Sequence, residues 1–69
     1  MHQELCQIIK ERRSMLRLTQ EDLAALAGVG LRTLKALEAG KGNPSLDTLQ
    51  KLADVLGLEV RLEVKRIDR

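Results

Sequence analysis

The chain has 69 residues, which is room for one domain whose core lies near the lower limit for independent stability. It contains no Phe, Tyr or Trp, so the core must be built from Leu, Ile, Val and Ala, and the aromatic platforms that stack single-stranded nucleic acid are excluded. Twelve Lys and Arg against ten Asp and Glu leave a net charge of +2, enough for a local basic patch if the acidic residues cluster elsewhere. Cores of this size supply about 3–5 kcal/mol of net stability, and oligomerisation is a common supplement. The single cysteine, Cys6, rules out an intramolecular disulfide and fits a reducing compartment. With no signal peptide, transmembrane run or low-complexity tract, the expectation is a soluble, cytoplasmic, prokaryotic protein without a membrane role.

Taken in chain order, a first helix is expected from about His2 to Leu16, with Leu5, Ile8, Ile9 and Leu16 spaced along one face. Lys10, Arg12, Arg13 and Arg17 gather near its end, where they complement the helix dipole or reach a polyanion. A second helix runs from about Gln20 to Ala27. Thr19 can cap it, Asp22 can close a capping box, and Leu18 and Leu23 occupy the positions of a hydrophobic staple. Ala24 is small where another helix must cross closely. Gly28 suits the left-handed backbone that ends such a helix.

A third helix follows from about Leu31 to Ala39, seated by Leu34 and Leu37. The corner Gly28-Val29-Gly30 is too short to let the second and third helices lie antiparallel. A turn-rich loop through Pro44 leads to a fourth helix, capped by Ser45 and running through Leu56. Its buried face is expected at Leu46, Leu49, Leu52, Ala53 and Leu56, and Gly57 stops it.

The tail has a different pattern. Leu58-Glu59-Val60-Arg61-Leu62-Glu63-Val64-Lys65 alternates apolar and charged residues, which predicts a half-buried β-strand. A strand cannot satisfy its own backbone groups, and the rest of the chain offers no partner strand. The simplest partner is the same segment of a second copy, related by a two-fold axis, with Leu58, Val60, Leu62 and Val64 at the homodimer interface. The expected fold is therefore mostly α. A compact four-helix domain occupies residues 1–57, and a dimerising strand and tail occupy residues 58–69.

The helix pair from Thr19 to Gly40, continued through Lys41-Gly-Asn-Pro-Ser-Leu-Asp-Thr-Leu to Leu56, resembles the phage repressor and Cro type (Xre family) of helix-turn-helix domain. The resemblance covers roughly residues 5–57. It is carried by Leu18-Thr19-Gln20-Glu21-Asp22-Leu23-Ala24, Gly28-Val29, Leu37-Glu38-Ala39-Gly40-Lys41 and Pro44-Ser45-Leu46, in order and correctly spaced. It implies that the third helix enters a DNA major groove and presents Leu31, Arg32, Thr33, Lys35 and Ala36 there. Arg32 would grip guanine O6 and N7, and Leu31 would lie against a thymine methyl or pack in the core. Gln20, Lys41 and Asn43 match phosphate-contacting positions of the family, with Arg17 a further candidate. Arg13 and Glu38 match a structural ion pair between the first and third helices. Gly30, Leu31 and Ala36 depart from the Gln and Ser common in the family, so no recognised base sequence carries over.

Enzymatic chemistry finds no support. His2 is the only histidine, and no Ser, His and acid constellation exists. The Gly28-Val29-Gly30 corner lacks the lysine of a phosphate-binding loop. His2 and Cys6 are four apart on one helix, but two ligands are too few for a zinc site. No metal or cofactor is expected.

The reading is a sequence-specific duplex DNA-binding regulator acting on a pseudo-palindromic operator, nucleoid-associated when bound. A repressor-type domain followed directly by one dimerising strand also resembles the HipB-type antitoxins, whose partners are HipA-type serine/threonine kinase toxins. On that resemblance the chain would repress its own operon and bind the toxin. The alternative is a stand-alone phage or plasmid-type repressor.

Overall fold

A computed structural model describes the backbone of residues 2–65 and the side chains of residues 4–65. Four helices follow one another: α1 (His2–Met15), α2 (Gln20–Ala27), α3 (Leu31–Glu38) and α4 (Leu46–Leu56). The α1 and α3 helices each stop one residue before the boundary read from the sequence.

Local chemistry accounts for the boundaries. The Thr19 hydroxyl accepts the Asp22 N–H at 2.9 Å, and the Asp22 carboxylate accepts the Thr19 N–H at 3.1 Å, which completes the capping box. Gly28 ends α2 with φ 69°, a left-handed conformation that costs glycine little. Its N–H returns to the last turn, as does that of Val29, which reaches the Ala24 carbonyl at 3.0 Å. The α4 helix opens on Ser45, whose hydroxyl accepts the Thr48 N–H at 3.1 Å.

Packing is built on leucine. Leu23, Leu34, Leu52 and Leu56 are fully buried, and Ile9, Ala24 and Leu37 complete the cluster. The α2 helix packs on both α3 and α4, and α1 closes the other side against the same two helices. At about 1.5–3 kcal/mol for each large apolar side chain removed from water, this cluster dominates the stability of so small a domain.

Three positions differ from the apolar faces read in the sequence. Ile8 is 51 % exposed, Leu16 41 % and Leu46 67 %. Leu16 lies past the last turn of α1, just before Arg17 redirects the chain through a left-handed φ of 58°. Leu46 is the first residue of α4, and the buried residues of that helix begin at Leu52.

No β-strand occurs among the described residues; residues 58–65 carry no regular secondary structure. The expected strand from Leu58 to Lys65 therefore does not form within one chain, where it meets no second strand. Leu58 is half-buried against the core, whereas Leu62 and Val64 are 100 % and 99 % exposed. The tail beyond Lys65, residues 66–69, lies outside the described residues.

Candidate nucleic-acid interface

The α3 helix divides its side chains cleanly. Leu34, Leu37 and Glu38 are buried, whereas Arg32, Thr33 and Lys35 are exposed on the other side. The loop after α3 then folds back beside it. The Lys41 N–H reaches the Ala36 carbonyl at 2.8 Å and the Gly40 N–H reaches the Leu37 carbonyl at 3.0 Å. Gly40 and Gly42 make the turn possible with φ of 76° and 77°. As a result Arg32, Thr33 and Ala36 share one shallow groove of about 270 Å³ with Lys41, Asn43 and Pro44.

Five of the nine sequence-derived contact candidates thus meet in one place. Lys35 is exposed on α3 outside the groove lining, and Arg17 is exposed in the connection between α1 and α2. Leu31 is half-buried and packs against the core cluster, so only part of its side chain faces outward. Gly30 occupies the N-cap of α3 without a side-chain cap, which leaves the first amides of that helix open to another acceptor.

Beneath this surface lies an ion pair. Arg13 Nε donates to Glu38 Oε2 at 2.7 Å and Arg13 Nη2 donates to Glu38 Oε1 at 2.9 Å, a two-pronged fork. Arg13 Nη1 also donates to the Leu18 carbonyl at 2.7 Å, which ties α1 to the segment leading into α2. The hydrogen bond to Glu38 raises the Arg13 pKa above its ordinary value, the Glu38 charge adds to this, and burial opposes it. Gln20 joins the same carboxylate, donating from Nε2 to Glu38 Oε1 at 3.1 Å. Its side chain is therefore half-buried and tethered, with one amide hydrogen and the carbonyl oxygen left over for an outside partner.

Arg12 takes a role that the sequence did not suggest. Its Nε donates to the Leu56 carbonyl at 2.7 Å, so it closes the C-terminus of α4. No spacing rule could have signalled this, because the partner lies 44 residues away.

Comparison with known proteins decides the family. The helix-turn-helix family HTH_3 matches residues 9–62, which span all of α2, α3 and α4. The chain belongs to the Xre-type helix-turn-helix family. It is similar to the HTH-type transcriptional regulator DdrOP3 of Deinococcus deserti, 40 % identical over 57 residues, or 83 % of this chain and 44 % of that protein. It is also similar to an uncharacterized HTH-type transcriptional regulator of Methanothermobacter thermautotrophicus, 46 % identical over 52 residues, which are 75 % of each chain. A further uncharacterized HTH-type transcriptional regulator, from Methanocaldococcus jannaschii, is 42 % identical over 52 residues, 75 % of this chain and 79 % of the relative. The helix-turn-helix domain thus spans under half of the Deinococcus regulator and about three quarters of the two archaeal ones.

Among the described residues no group of three or more His, Cys, Asp and Glu is placed to hold a metal ion. The His2 side chain lies outside the described residues, and Cys6 is buried against the core side of α1. No described helix is long and apolar enough to cross a membrane.

Proposed function

We propose that this helix-turn-helix chain is a sequence-specific duplex DNA-binding transcriptional regulator. The observation that carries the proposal is the groove that exposed Arg32 and Thr33 share with Ala36, Lys41 and Asn43, formed between α3 and the loop after it over the partly contributing Leu37. In this reading α3 lies in the major groove. Arg32 takes guanine O6 and N7 through two parallel donors, Thr33 and Lys35 reach bases or phosphates, and Leu31 and Ala36 give apolar contact to thymine methyls. Lys41 and Asn43 hold phosphates at one end of the recognition surface, and Gln20 and Arg17 hold them on the strand crossed by α2. Selection of bound sequences from a random duplex pool tests this reading. The wild-type chain should enrich a pseudo-palindrome with half-sites about 34 Å apart, one helical turn. Arg32→Ala should lose preference at one base pair of each half-site by roughly 5–150-fold, matching about 1–3 kcal/mol. Failure of the wild-type chain to enrich any duplex sequence would remove the reading.

The pseudo-palindrome requires a homodimer, and the tail supplies its surface. In an extended strand Leu58, Val60, Leu62 and Val64 would fall on one side, and the single chain leaves the last two in solvent. That same tail favours a second reading, a HipB-like antitoxin that represses its own operon and binds a HipA-type kinase toxin. Affinity purification from native cells after nuclease treatment separates the two: a stoichiometric kinase supports the antitoxin, and the homodimer alone supports the stand-alone regulator.

A further inference from the structure

The sign of charge along the tail alternates as strictly as its hydropathy. Glu59, Arg61, Glu63 and Lys65 read minus, plus, minus, plus at every second position, and all four are exposed. Between them Leu62 and Val64 are almost wholly in solvent, and Val60 is 37 % exposed. At the root of the tail a mostly apolar groove of about 380 Å³ is lined by Leu5, Ile8, Leu49 and Val60 among others, and Glu59 and Arg61 of the tail border it as well. Ile8, half exposed on α1, is its rim.

We infer that two copies of this chain pair antiparallel through residues 59–65 with the two-fold axis at Leu62, so that Glu59 faces Lys65 and Arg61 faces Glu63 across the strands. This deepens the homodimer reading above and rests on it. In an antiparallel pair the residues equidistant from the axis stand opposite each other, close enough for cross-strand contact. With Leu62 on the axis, all four charged positions of each strand meet an opposite charge, and Val60 meets Val64 while Leu62 meets itself. Moving the axis one residue to Arg61 or Glu63 sets Arg61 against Arg61 or Glu63 against Glu63, and like charges directly opposite are destabilising. Moving it to Val60 keeps Glu59 opposite Arg61 but leaves Glu63 and Lys65 without charged partners. A parallel pair in register sets every charge against its own kind. The Leu62 register is therefore the one in which charge and hydropathy agree.

The side-chain period of two then decides which face is covered. Leu58 packs against the core, so Val60, Leu62 and Val64 of an extended strand point to the same side, toward Leu5, Ile8 and Leu49. The ribbon closes over both apolar grooves and leaves its charges in solvent. An isolated two-stranded ribbon is marginal in water, and packing on helices is what makes one stable.

Charge reversal in the full-length chain tests the register, with sedimentation equilibrium as the readout and circular dichroism as the check that the helices remain. Arg61→Glu alone and Glu63→Arg alone should each raise the dimer dissociation constant roughly tenfold or more, since each places two like-charge pairs at the interface. An equimolar mixture of the two variants should recover the wild-type dissociation constant as a heterodimer, because every pair is again opposite. The double variant Arg61→Glu/Glu63→Arg should recover it as a homodimer. Leu62→Cys should self-crosslink on oxidation faster than Arg61→Cys or Glu63→Cys, as the axial residue is the one that meets its own copy. Undiminished dimerisation of Glu63→Arg, or a mixture no tighter than its components, would overturn the register while leaving the dimer intact. A monomeric wild-type chain would overturn the homodimer reading itself.

Discussion

Glu38 accepts three hydrogen bonds, two from Arg13 and one from Gln20, and its side chain is 3 % exposed. A carboxylate so placed depends on its partner. Arg13→Ala would strand the charge and also remove the donor to the Leu18 carbonyl, so unfolding free energy should fall by about 3 kcal/mol or more in urea titrations. A loss below about 1 kcal/mol would show that water replaces the arginine. Asp22 offers a test by pH. Its carboxyl is held below the ordinary carboxylate range by the Thr19 backbone N–H, with the Thr19 side chain adding to the effect. A depressed pKa in the folded state adds stability above the unfolded value of about 4, and that contribution is lost as pH falls through the folded value. The stability difference between wild type and Asp22→Asn should therefore be largest near neutral pH and shrink as pH falls below 4. A difference that stayed constant with pH would show that the carboxylate charge has no part in the cap. At this scale the Thr19–Asp22 box was legible, because both partners lie within one turn. The tether of Gln20 to Glu38 was not, since it spans 18 residues and depends on how α2 sits against α3.

Helices here are bounded by local chemistry and then joined by a few long-range bonds. Thr19, Gly28, Ser45 and Gly57 mark ends that sequence rules locate, since a cap acts on its own first or last turn. Arg12 is of the second kind. By donating to the Leu56 carbonyl it couples the last turn of α1 to the end of α4. Beside it, a Cβ at Gly57 would meet Arg12 Nη2 at 3.3 Å, so the glycine provides room for the guanidinium as well as its φ of 70°. Arg12→Met keeps the stem and removes the donor. It should cost about 1–2 kcal/mol in thermal or urea unfolding while leaving duplex affinity unchanged at temperatures where the fold is intact. A drop in affinity without loss of stability would instead assign Arg12 to the DNA surface, the other role its position near the end of α1 allowed. The apolar faces were legible for the interior turns and misled at Ile8, Leu16 and Leu46. Periodicity gives the direction of a side chain and says nothing of whether another helix reaches it.

For the whole molecule, the reading proposed above has the domain present one face to DNA and the root and length of its tail to a second copy. In that reading the two are coupled through mass action, because a dimer would engage both half-sites at once. Val60→Asp together with Leu62→Asp should yield monomers, and their duplex affinity should fall along with the salt dependence. Each lost phosphate contact should reduce the slope of log K against log salt by about 0.9. Monomers that bound the full operator as tightly as wild type, with the same slope, would separate DNA recognition from dimerisation.

The four helices, their caps, the corner between α2 and α3 and the leucines of the core were legible in the sequence, because periodicity and capping act within a few residues. Its resemblance to the Xre family, which the family match bears out, also implied the side of α3 that the proposed function assigns to DNA. Packing of the helices settled what distance along the chain conceals: that Arg32, Thr33, Ala36, Lys41 and Asn43 share one groove, that Gln20 is held by Glu38, that Arg12 closes α4, and that Ile8, Leu16 and Leu46 are left exposed in the single chain. Each of these depends on the angle and offset between packed helices, which a one-dimensional pattern does not carry.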